Sequence, residues 1–99
     1  MAIRHLFLWN VKAEHDPEWV LDKMSELTLL VPRLIAWSIG KDMGDTDEAK
    51  SGSFDYAMTI DVESLDDLND YLNHPEQLTL IDEVHHAVAE STWIDFHIN

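Results

Sequence analysis

The run Ile3-Arg4-His5-Leu6-Phe7-Leu8-Trp9-Asn10-Val11 constrains this chain most, because it is apolar on both sides of a two-residue period. Ile3, His5, Phe7 and Trp9 fall on one side, and Leu6 and Leu8 on the other. A strand of that kind is buried on both faces, so it belongs inside a sheet with material above and below it. Helices must supply that material, and the chain holds few of them. Asp16-Pro17 has the form of an N-cap followed by proline in the first helical position, with Val20, Met24, Leu27 and Val31 at helical spacing and Pro32 as the stop. Ser64-Leu65-Asp66-Asp67 opens a second helix, carrying Leu65, Leu68 and Leu72, with an acid three residues beyond the cap. His74-Pro75 breaks it and restarts the chain as a helix with the stripe Leu78, Ile81, Val84 and Val88. Period-two runs over residues 34–39, 54–62 and 93–98 complete the set of strands.

The order strand, helix, strand, strand, helix, strand predicts an α+β fold of ferredoxin-like βαββαβ topology with a four-stranded antiparallel sheet. Its helices can cover only one face of that sheet. Phe7, Trp9, Trp37, Tyr56, Met58, Ile60 and Trp93 are expected on the other face, and together they form too large an apolar patch to stay wet. Packing two such faces about a twofold axis buries them, so the expectation is a homodimer of barrel form with a cavity for a small hydrophobic molecule. Gly40, Gly44 and Gly52 stand among Asp42, Asp45, Asp47 and Glu48, a polar segment expected to form a long hairpin loop able to act as a lid. Residues 1–99 are expected to make one domain.

Six Lys and Arg against twenty Asp and Glu give a formal net charge of -14, which argues against nucleic acid and anionic membrane as partners. No segment approaches the ~20 consecutive apolar residues of a membrane span. The opening Met1-Ala2-Ile3-Arg4-His5 lacks the layering of a signal peptide, and the expected location is cytoplasmic. The chain has no Cys, so disulfides, thiolate catalysis and Cys-ligated metals are excluded. His85 and His86 are adjacent and diverge on a helix, unlike an i, i+4 ligand pair. With no metal-ligand spacing, Gly-rich phosphate loop or nucleophilic serine motif, neither metal nor cofactor is expected.

His5 shares its strand side with Phe7 and Trp9, and a ferredoxin-like order makes the first and last strands antiparallel neighbours. That brings His5 near Asp95 or His97. A carboxylate beside an imidazole fixes its tautomer, as a general base needs; a buried, hydrogen-bonded core histidine fits the same placement. Tyr71 is either a phenol that donates to a carbonyl or enolate oxygen, or a ring packed on an amphipathic helix. His74, before Pro75, suits a helix N-cap, and Tyr56 suits a cavity wall.

Met1-Ala2-Ile3-Arg4-His5-Leu6, Asp55-Tyr56-Ala57, Asp70-Tyr71-Leu72-Asn73-His74-Pro75 and Ile94-Asp95-Phe96 together resemble the stress-responsive A/B barrel (Dabb) domain family. The likeness runs through nearly the whole chain and is weakest from Lys41 to Ser53. The resemblance implies a dimeric α+β barrel with a cavity. Members include heat-stable stress proteins and plant polyketide cyclases of the olivetolic acid type, which close a polyketide by aldol chemistry without metal or organic cofactor.

Position by position, the resemblance implies His5 as base, Asp95 as its orienter and Tyr71 as proton donor. Phe7, Trp9, Trp37, Tyr56, Met58, His74, Gln77 and Trp93 would line the substrate pocket. Two positions depart from the cyclases, which carry histidine where this chain has Gln77 and Tyr56. A glutamine cannot act as a general base, so their mechanism does not carry over as written. The function implied is a cofactor-independent cyclase, isomerase or lyase acting on a small hydrophobic carbonyl or aromatic compound. The alternative is a non-catalytic stress-response protein that holds a small apolar ligand.

Overall fold

The computed structural model describes residues 2–31, 33–43 and 54–98. In chain order these form β1 (Ala2–Val11), α1 (Pro17–Glu26), a 3-10 turn (Leu27–Leu30), β2 (Leu34–Lys41), β3 (Tyr56–Val62), α2 (Leu65–Leu72), α3 (Pro75–His85) and β4 (Val88–Ile98). The strands make one antiparallel sheet in the order β2-β3-β1-β4, so the fold is the expected ferredoxin-like one. The lid assigned to Gly44, Gly52, Asp45, Asp47 and Glu48 lies outside the described residues, as does Pro32.

Each helix begins where a side chain satisfies its free backbone N–H groups. Asp16 accepts from the Glu18 amide at 3.0 Å, Ser64 from the Asp67 amide at 3.2 Å, and His74 Nδ1 from the Glu76 amide at 3.1 Å. Proline follows the first and third of these caps, at a position where no N–H is needed. α1 does not run on to Val31 as a regular helix. Its last turn tightens to 3-10 geometry, with Thr28 Oγ1 donating to the Ser25 carbonyl at 2.9 Å, and Val31 is already extended. On α3 the buried stripe is Gln77, Leu80 and Val84, while Leu78 faces solvent and Val88 opens β4.

Register puts the side chains in rows across the sheet. Lys41, Tyr56, Trp9 and Ser91 form one row, Ile39, Met58, Phe7 and Trp93 the next, and Trp37, Ile60, His5 and Asp95 a third. These rows face the helices. Trp9, Tyr56, Met58 and Ile60 are buried among Val20, Met24, Leu27, Leu68, Tyr71 and Val84. The expectation that Phe7, Trp9, Trp37, Tyr56, Met58, Ile60 and Trp93 line a helix-free face is therefore corrected: all seven stand on the helix side, with Trp37 and Trp93 exposed on the edge strands β2 and β4.

β1 is apolar on both sides, and the helices take the side with the larger aromatic residues. The helix-free side carries Leu6, Leu8, Ala57, Thr59, Ile94 and Phe96, with the Arg4 guanidinium forked onto Asp61 at 2.8 and 2.9 Å. Ile35 sits in a register shift of β2 and is exposed.

Candidate active site

Helix caps and strand register converge on a cavity of about 330 Å³ between the sheet and the helices. β1 gives it His5 and Phe7, β3 gives Met58, and the edge strand β4 gives Ser91 and Trp93. Met24 and Leu27 come from the end of α1 and its 3-10 turn, Tyr71 and Leu72 from α2, and Gln77 and Ile81 from α3. The lining is mainly apolar, with His5, Tyr71, Gln77 and Ser91 as its polar members. That is the ordinary make-up of a small-molecule site, in which a few polar groups orient a ligand held by apolar contact.

The Nδ1 atom of His5 lies 2.5 Å from Asp95 Oδ1, its register partner on β4. Of the two partners sequence reasoning left open, the structure selects Asp95, while His97 pairs with Ile3. With the carboxylate on Nδ1, that nitrogen carries the ring proton and Nε2 is the one able to accept another. The imidazole is buried, whereas the Asp95 side chain stays about a third exposed on the edge strand.

Tyr71 is almost wholly buried, with its ring edge-on to His5 at a centroid separation of 6.3 Å. Burial pushes its phenol above the ordinary tyrosine range, and a hydrogen bond from Gln77 opposes that shift more weakly. The hydroxyl thus remains a proton-bearing donor throughout the neutral range. Gln77 acts as a support for Tyr71, a role open to an amide.

The remaining sequence candidates separate by position. Phe7, Met58 and Trp93 line the cavity. Trp9 and Tyr56 stand behind Phe7 in an aromatic stack, with centroid separations of 5.8 Å from Phe7 to Trp9 and 5.6 Å from Trp9 to Tyr56. They support the wall and do not line it. Trp37 lies on the edge strand β2, 48% exposed and away from the cavity, and His74 serves as the N-cap of α3.

Sequence reasoning missed Met24, Leu27, Leu72, Ile81 and Ser91. The first four sit on helical stripes that read as core, and Ser91 falls just before the period-two run that marks the last strand. Among the described residues, no group of three or more His, Asp or Glu is placed to hold a metal ion, and no helix is long and apolar enough to cross a membrane.

Solved structures share this architecture. A dimeric ferredoxin-like protein of unknown function from Thermobifida fusca is 25% identical, with a TM-score of 0.81 over 99% of this chain and 92% of its own. The hydroxynitrile lyase of Passiflora edulis is 20% identical, with a TM-score of 0.84 over 99% of this chain and 94% of its own. SnoaB, a cofactor-independent oxygenase from Streptomyces nogalater, is 10% identical, with a TM-score of 0.76 over 98% of this chain and 92% of its own. At such identities the last two establish a common fold alone. None of the curated proteins compared with the chain matches its sequence. The family description "Stress responsive A/B Barrel Domain" matches residues 3–98, and on that match the chain belongs to the stress-responsive A/B barrel family.

Proposed function

We propose that this protein is a cytoplasmic homodimer that catalyses proton transfer, without a cofactor, on a small hydrophobic carbonyl or aromatic compound in a reaction of cyclase, isomerase or lyase type. The observation that carries the reading is the His5–Asp95 pair beside the buried Tyr71 ring in the lining of one apolar cavity. His5 Nε2 takes a proton from the substrate, while Asp95 holds the ring and balances the imidazolium that forms. Tyr71 donates a hydrogen bond to the oxygen on which negative charge develops, and its own proton stays in place because burial disfavours the phenolate. Return of the proton from His5 to carbon or to the leaving group completes the cycle.

A cavity of 330 Å³ is about twice the ~150 Å³ that accommodates a single benzene ring, so it suits a substrate of one or two rings or a comparable chain. A lyase and a cofactor-independent oxygenase on the same fold support the class of reading without naming a substrate. The dimer is supported by the helix-free apolar face and by relatives described as dimeric.

Native mass spectrometry of protein purified from its source tests both parts, since it weighs the assembly and identifies any retained molecule. With that molecule or its analogues as substrate, His5→Ala is expected to lower kcat/KM by about 10²–10⁴. Tyr71→Phe is expected to lower kcat with a smaller change in KM. Full turnover in both variants would sink the catalytic assignment. Gln77 favours a second reading, in which the cavity holds an apolar ligand unchanged, because an amide supports Tyr71 without adding a second base. That reading predicts saturable binding of the retained molecule with no conversion.

A further inference from the structure

Twenty acidic residues against six Lys and Arg leave most carboxylates of this chain without a cation, and the described cations divide into two sets. Arg4 is forked onto Asp61, Arg33 onto Asp67, and Lys23 lies 3.7 Å from Glu83. Lys12 and Lys41 make no ion pair among the described residues, even though carboxylates outnumber cations by more than three to one. Both lysines line the same pocket of about 210 Å³, at the end of the sheet opposite His5, together with His15, Tyr56 and Asp55.

Tyr56 is 5% exposed and stacked on Trp9, and its hydroxyl has no hydrogen-bond partner among the described residues. With its ring buried and its hydroxyl open to solvent, Tyr56 presents a donor and acceptor to a molecule held in this pocket. Among the described residues Asp55 is the one carboxylate in the lining, set against Lys12 and Lys41 in a strongly negative molecule.

We infer that this pocket binds a small oxyanion, a phosphate or carboxylate group, with Lys12 and Lys41 supplying charge and Tyr56 and His15 supplying hydrogen bonds. The site is distinct from the catalytic cavity, from which the Phe7–Trp9–Tyr56 stack separates it. The assignment follows from which charges the fold leaves unpaired. Lys12 and Lys41 line one concavity, and neither is ion-paired among the described residues. Repulsion from the rest of the molecule sets the expected dissociation constant on the order of 1 mM at moderate salt.

The test is a titration of the ¹⁵N-labelled full chain with inorganic phosphate and, separately, with acetate, at constant ionic strength set by chloride. Saturable shifts confined to the amides around Lys12, His15, Lys41 and Tyr56 are expected, and the tighter of the two anions identifies the head group. The double variant Lys12→Ala/Lys41→Ala should weaken binding by about tenfold or more, and Tyr56→Phe should weaken it severalfold with the fold preserved. His5→Ala should leave it unchanged. Shifts that grow linearly without saturating for both anions, equal affinity in the lysine double variant, or loss of binding in His5→Ala would each overturn the assignment.

Discussion

Two residues hold positions that a stability measurement can read directly. Asp67 is buried at the start of α2 and accepts the fork of Arg33, which reaches it from a backbone with φ of 51°. The Arg33 guanidinium holds the Asp67 carboxyl below the usual carboxylate range; burial opposes this and the hydroxyl of Ser64 assists it. A carboxyl lowered in the folded state contributes stability above the unfolded value of about 4 and loses it as pH falls through the lowered value. Asp67→Asn should therefore reduce the melting temperature at neutral pH and flatten its fall below pH ~4, as followed by circular dichroism. Arg33→Gly should melt a few degrees above Arg33→Ala. Both lose the ion pair, but only glycine adopts the left-handed backbone without steric cost.

Trp9 poses the opposite problem. It is fully buried, and its indole Nε1 has no hydrogen-bond partner among the described residues. An unsatisfied buried donor costs about 1–3 kcal/mol, which offsets part of what its ring contributes. Trp9→Phe, which removes the donor and keeps an aromatic ring, should consequently cost well under the ~3–5 kcal/mol typical of truncating a core aromatic to alanine, as measured by urea denaturation.

At the level of elements, the sequence was informative where the physics is local. Asp16-Pro17, Ser64 and His74-Pro75 announce helix starts because capping and proline preferences involve only neighbouring residues, and all are found where expected. Ser64→Ala should cost about 0.5–2 kcal/mol by freeing the Asp67 amide, read as a shift in the denaturation midpoint.

The choice of sheet face was not local. Phe7 and Trp9 on one side of β1 and Leu6 and Leu8 on the other give the same periodicity, so alternation alone cannot say which side the helices take. The cavity suffered from the same ambiguity. Met24, Leu27 and Ile81 line it from helical stripes that are indistinguishable in sequence from residues packed solid. That His5 meets the end of β4 was legible because topology makes β1 and β4 neighbours, whereas the choice of Asp95 over His97 needed the observed register.

On the scale of the whole molecule, the helices cover one face of the sheet and leave the other with Leu6, Leu8, Ile94 and Phe96. Phe96→Glu together with Ile94→Lys should convert the proposed dimer to monomer by sedimentation. It should leave the helix-side cavity intact, because alternate residues of β4 point to opposite sides of the sheet. An unchanged sedimentation coefficient would place the dimer contact elsewhere.

β4 has a further consequence. It is an edge strand with Trp93 exposed on one side, Ile94 and Phe96 on the other, and no proline or lysine along its length. Such an edge is a template for strand addition by other chains. Like charge is then the defence left to a chain that has not found its partner: at -14, two protomers repel before their edges meet in the wrong register. The acidic composition accordingly serves colloidal stability, and the protein should be most prone to precipitate where that charge is neutralised, in mild acid.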